Sequence, residues 1–150
     1  MKKTFAIDII ASLFILLFLY TGLNKIIDHE KFYWALYKSP LLKITAPVLS
    51  WLVPVGEIAM TVALFIPRTR RLGLICSFIT MAIFTVYVGF MLYFRSDRPC
   101  TCGGIIQQMT WHQHLYFNAG FTLLALLGLW LDKKLRHLGS RNLNAVSYTN

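Results

Sequence analysis

PVLSWLVPVGEIAMTVALFI-PRTRR-LGLICSFITMAIFTVYVGFMLYF, residues 47–94, sets two long apolar runs around one short basic knot. A helix needs about 20 apolar residues to cross a hydrocarbon core of about 30 Å. Pro47 to Ile66 and Leu72 to Phe94 both meet that length, and Pro67 closes the first. The knot Arg68-Thr69-Arg70-Arg71 is too short for anything but a tight turn. The stretch therefore reads as a helical hairpin through a bilayer. Working outward, Phe5 to Leu23 and Trp111 to Leu131 supply two more windows of the same kind. The expectation is an all-α integral membrane four-helix bundle. Its spans cover residues 5–23, 47–66, 72–94 and 111–131 of a membrane domain 1–132, followed by a loose cytoplasmic tail over 133–150.

Composition points the same way. Of 150 residues 57% are hydrophobic and 14% charged, against roughly 25% charged in ordinary soluble domains, and the mean hydropathy is +0.58. That excludes intrinsic disorder, and a soluble fold of this size has too little interior for so much Leu, Ile and Phe. Fifteen Lys and Arg against six Asp and Glu give +9. The basic residues lie between the apolar runs, so they read as topology signals and not as a nucleic-acid surface. Lys2, Lys3, Arg68, Arg70, Arg71, Lys133, Lys134, Arg136 and Arg141 fall on the side of the termini, and Lys25, Lys31, Lys38, Lys43, Arg95 and Arg98 on the other. Lys and Arg favour the cytoplasmic side, which predicts cytoplasmic termini. Met1-Lys2-Lys3 imitates a secretory signal, but the long run after it lacks a small-x-small cleavage site and reads as a retained span. In the first outer loop, from Lys25 to Ala46, Phe32, Tyr33, Trp34, Leu36 and Tyr37 alternate with lysines, as in an amphipathic interfacial segment. Trp34, Trp51, Trp111 and Trp130 fall near span boundaries and read as interfacial anchors.

The second outer loop carries Cys100-Thr101-Cys102-Gly103-Gly104 after Pro99. Facing an oxidising compartment, these thiols can form a disulfide. Residues two apart only just reach the Cα separation such a bond needs, so it would be strained, and strained exposed disulfides are the labile ones. The alternative is a static loop staple. Met109, His112 and His114 nearby invite copper or zinc, but two histidines two apart on a helix point to different faces, so no metal is expected. One of them is better placed to favour a cysteine thiolate.

Glu57 lies near the middle of the second span, where an ionisable group is costly. Pro54, one turn earlier, frees the Ser50 carbonyl, and Gly56 opens room beside the carboxyl. Tyr20 and Asn24, at i and i+4 on the first span, and Lys25 at its edge are the expected partners. With Lys25 in reach the carboxyl is charged; without it, neutral. Asp8 reads as an interfacial or first-turn acid favoured by the helix dipole, and Cys76 as a packing residue. Thr110-Trp111-His112-Gln113 has the form of a capping box, which puts Trp111 in the first turn of the fourth span.

Gly22-Leu23-Asn24-Lys25, Gly56-Glu57, Cys100-Thr101-Cys102-Gly103-Gly104, and Trp111 with Asn118, in this order relative to four spans, give a chain that resembles the DoxX-like superfamily, and within it the MauE-type redox-associated membrane proteins. The resemblance covers about Ala6 to Leu131. It implies a four-helix bundle of the bacterial inner membrane that works in thiol–disulfide chemistry with a periplasmic thioredoxin-like protein. In the MauE type that chemistry is associated with maturation of methylamine dehydrogenase, a client no residue here specifies. Some DoxX relatives belong to quinone-linked assemblies, but the chain contains no quinone-binding motif. The leading functional expectation is disulfide exchange through Cys100 and Cys102, with His112, His114 and Glu57 in support. The alternative is a non-catalytic scaffold subunit of a larger membrane complex.

Overall fold

The computed structural model describes the backbone of residues 2–94 and 110–147, and side chains over 5–94, 110 and 112–135. Five helices occupy them: α1 (Lys2–Ile27), α2 (His29–Lys38), α3 (Ala46–Phe65), α4 (Arg70–Phe94) and α5 (Trp111–Ser147). Four are long and apolar enough to cross a membrane, over Phe5–Ile27, Ala46–Phe65, Arg70–Phe94 and His112–Leu135. The fold is an all-α membrane bundle of four spans.

Two helix ends differ from the expected ones. The first helix runs past Leu23 to Ile27 because Lys25, which looked like a polar edge, is buried. The last continues through most of the expected loose tail, to Ser147. Its start matches the capping box: the Thr110 N–H donates to Gln113 Oε1 at 2.9 Å and the Gln113 N–H to Thr110 Oγ1 at 3.4 Å.

Helices in lipid associate by close packing, not by expelling water, and glycines mark the seams. A Cβ at Gly22 would stand 3.3 Å from Glu57 Cβ and 3.2 Å from Ile58 Cδ1, so α1 and α3 lie nearly backbone to backbone. At Gly73 it would meet Leu64 at 2.9 Å, which draws α4 tightly onto α3. Thr69 and Arg70 close this hairpin by donating to otherwise open carbonyls at the end of α3, Thr69 Oγ1 to Ala63 at 2.9 Å and Arg70 Nε to Leu64 at 3.4 Å. The centre is aromatic. Phe14 stacks near Phe18 at 5.7 Å and meets Phe121 edge-on at 5.3 Å, among Leu64, Leu74, Met81 and Ala125. Outward faces carry Leu16, Val48, Phe65 and Val86, all exposed, as lipid contact requires. Between α4 and α5 the Thr85 and Thr122 hydroxyls face each other at 3.1 Å.

Asp8 is not a first-turn acid. Helix α1 already begins at Lys2, and the Asp8 carboxylate pairs instead with Arg70 of α4. A second, looser pair, Arg71 with Asp132 at 3.8 Å, links α4 to α5 at the same end of the bundle.

Helix α2 lies at the opposite end. Its polar face exposes Glu30, Lys31 and Lys38, while Phe32 is buried and Ala35 and Leu36 are half-buried. Tyr33, Trp34 and Tyr37 form an aromatic cluster, with Trp34 edge-on to both tyrosines. Ser39, buried just past its end, fixes it to α4 through a 2.9 Å bond with the Tyr87 hydroxyl. The His29 ring lies tilted against Trp51 of α3, with ring centres 4.2 Å apart. The amphipathic segment expected in the first loop is this helix.

Candidate functional site

Lys25 leaves α1 just before its end and turns inward. Its Nζ donates to both oxygens of Glu57, at 2.7 and 2.9 Å, and the two side chains are only 7% and 4% exposed. Among the three partners expected for Glu57, Lys25 makes this contact. Asn24 directs its amide to the Tyr20 carbonyl at 2.8 Å, and Tyr20 is 38% exposed. The lysine is further enclosed by Phe32 of α2, whose ring centre lies 5.7 Å from Nζ. Removing two charges from water is expensive, and only mutual attraction with good hydrogen-bond geometry offsets it. The bidentate contact supplies that geometry.

Glu57 separates two cavities. The larger, about 400 Å³, lies beneath α2 between α3 and α4, with walls that include Leu36, Val53, Gly56, Met60, Phe84 and Tyr87. The smaller, about 70 Å³, lies toward α1 and α5 and is bordered by Thr21, Lys25, Phe117 and Asn118. Phe32, Glu57, Phe84 and His114 border both. The room expected beside Gly56 is therefore present. The side-chain oxygens on the wall of the larger cavity are already engaged: Thr80 Oγ1 donates to Met60 Sδ at 3.6 Å, and the Tyr87 hydroxyl bonds with Ser39.

The two histidines at the start of α5 diverge, as their spacing requires. His112 is exposed, whereas His114 turns into the bundle beside the ion pair. Its Nδ1 is buried without a hydrogen-bond partner among the described residues. Asn118, one turn further on, is 5% exposed and shares the smaller cavity with Lys25 and Glu57. Trp111 stands at the first position of α5, as expected. Cys100 and Cys102 lie outside the described residues, in the segment joining α4 to α5. Both helices meet that segment at the end of the bundle where α2 lies. Cys76 is a half-buried residue of α4. Among the described residues no group of three His, Cys, Asp or Glu side chains is close enough to hold a metal ion.

The cavity and the role of Phe32 carried no signal in the sequence beyond Gly56, because a void between helices is set by tertiary packing. His114 was distinguishable from His112 only by register: with Asn118 at i+4 it continues the inward face of α5.

No curated protein and no solved structure matches this chain. A family model does, that of methylamine utilisation protein MauE, over residues 3–131, which takes in three spans, most of the fourth and the ion pair. This multi-pass membrane protein belongs to the MauE family.

Proposed function

We propose that the protein is a thiol–disulfide redox component of the bacterial inner membrane, exchanging a disulfide between Cys100–Cys102 and a periplasmic thioredoxin-like partner. A partner thiolate attacks one sulfur of the pair, a mixed disulfide forms, and the partner's second thiolate resolves it. The partner leaves as a disulfide, and Cys100 and Cys102 take up the electron pair as thiols. The reverse sequence oxidises the pair. The family's description names methylamine utilisation as the setting, and identification of the trapped partner names the client.

One observation carries the reading: the MauE family match extends across the only two closely spaced cysteines of the chain. In sequence they lie between Phe94, the last residue of α4, and Trp111, the first of α5, and both of those helix ends lie opposite the Arg68–Arg71 turn, on the side that the distribution of Lys and Arg favours as periplasmic. His112, exposed on the first turn of α5 and close to them in sequence, is suited to favour a thiolate.

The test is to express Cys100→Ala and Cys102→Ala separately and look for a mixed disulfide on non-reducing gels. One variant should trap a thioredoxin-like protein identifiable by mass spectrometry, and the pair should titrate above about −300 mV. If both variants retain full function and trap nothing, the pair is a staple. The cluster of half-buried Tyr33 with exposed Trp34 and Tyr37 would then favour a scaffold subunit docked in a larger complex.

A further inference from the structure

We infer that the smaller cavity, of about 70 Å³, is a hydration site in which about two water molecules bridge the Lys25 ammonium to the side-chain amide of Asn118. Both residues border it and bring hydrogen-bonding groups that the protein leaves unused. An ammonium has three N–H donors. Lys25 directs two of them to Glu57, and Phe32 offers the third only a ring face centred 5.7 Å away. The Asn118 amide has two donors and an acceptor. It makes no hydrogen bond among the described residues, although Asn118 is only 5% exposed; Thr122 bonds its main-chain carbonyl, not the amide. Among the described residues, the partnerless side-chain N and O atoms with no accessible surface are His29 Nε2 and His114 Nδ1. The Asn118 amide is not one of them, so it keeps accessible surface, and the cavity is the space it borders.

Three properties select water as the occupant. A water takes up about 30 Å³ in the liquid, so the cavity admits about two and excludes all but the smallest molecules. Lys25 and Glu57 neutralise each other through two hydrogen bonds, and a charged occupant beside them would lack a counter-ion in a low-dielectric surrounding. The groups on offer include donors and acceptors, and water is both. Thr21 adds another acceptor: its hydroxyl donates to the Phe18 carbonyl at 3.5 Å and keeps its lone pairs. A buried water therefore finds the two to four partners it needs. Left dry, the third Lys25 N–H and the Asn118 amide would each carry the cost of a buried polar group without a partner. The bridge ties α5 to the ion pair of α1 and α3, at nearly the enthalpy of a direct hydrogen bond.

The site uses neither cysteine, so it stands or falls separately from disulfide exchange. The test is magic-angle-spinning NMR on the full chain, labelled with ¹⁵N and reconstituted in deuterated lipid, with magnetisation transferred from water protons to protein nitrogens. Exposed Gln113 supplies the wet reference and the amide of fully buried Phe14 the dry one. Asn118 Nδ2 and Lys25 Nζ should receive water magnetisation as early as Gln113 Nε2 does. In Asn118→Leu, which puts an apolar side chain of nearly the same shape into the site, Lys25 Nζ should lose that early transfer. An Asn118 Nδ2 that fills as slowly as Phe14 in the native protein means a dry cavity and overturns the site. Early transfer to Lys25 Nζ that survives in Asn118→Leu means the lysine meets water elsewhere and overturns the bridge. Should Asn118→Leu fail to fold, the native comparison of Asn118 with Phe14 and Gln113 decides alone.

Discussion

Lys25 and Glu57 test what a buried ion pair contributes. Lys25→Met or Glu57→Gln alone leaves a charge without its opposite in an apolar interior, which costs about 3–5 kcal/mol. The double replacement Lys25→Met/Glu57→Leu should recover most of that loss, because well-packed apolar residues can substitute for both charges. A double-mutant cycle by denaturant unfolding in mixed micelles reads the coupling; additive losses would mean the two groups act independently. Lys31→Ala is the contrast. Its partner is Asp28 at 2.9 Å, but the side chains are 66% and 38% exposed, and such pairs contribute about 0–1 kcal/mol. Glu57 was legible as a costly intramembrane acid, and Lys25 as one of its partners. That Lys25 would be the one depends on Gly22, which brings α3 close enough for the side chain to reach across.

The helices themselves were legible wherever a long apolar run met a clear stop, as at Pro67 or at the capping box of Thr110 and Gln113. They were less so where polarity and helix end part company. Asn24 and Lys25 lie inside α1, because a polar residue ends a span only if it has no partner within the protein. Contacts between helices left no local trace: Asp8 and Arg70 are 62 positions apart, and nothing near either one announces the other. Close packing makes a sharper prediction. Gly73→Ala puts a methyl group 2.9 Å from Leu64 side-chain carbons and 3.0 Å from its backbone nitrogen, so the α3–α4 hairpin must spread. A loss of about 1–3 kcal/mol is expected from such overpacking, read as a lower unfolding midpoint. Gly120→Ala has open space around it and should be neutral or slightly stabilising. Equal effects at the two glycines would show that the seam does not govern stability.

At its two ends the molecule presents different chemistry. One end is held by Asp8–Arg70 and Arg71–Asp132, whose side chains are between 21% and 54% exposed, and salt should screen them. Asp8→Asn is expected to lower the unfolding midpoint at low ionic strength and to have little effect in 1 M salt; a salt-independent loss would point to packing instead. The other end carries α2 and the approach to the cysteine segment, with the ion pair deeper in the bundle beneath Phe32 of α2. If that end faces the periplasm, an impermeant maleimide applied to reduced, intact spheroplasts labels Cys100 or Cys102 and spares Cys76. Labelling that requires permeabilisation would reverse the orientation. The pairing of Lys25 with Glu57 also bears on how the chain is made. Synthesis runs from the N-terminus, so Lys25 enters the translocation machinery 32 residues ahead of its acidic partner. Lys25, two residues from the end of α1, can reach the headgroups while it waits, but Glu57 enters in the middle of α3, where an acid raises the insertion free energy by about 2.5–3.5 kcal/mol. Helix α1 is therefore a built-in insertion partner for α3. A nascent chain carrying Lys25→Met should integrate α3 less efficiently in a glycosylation-mapping assay, well before any folded bundle exists to be destabilised.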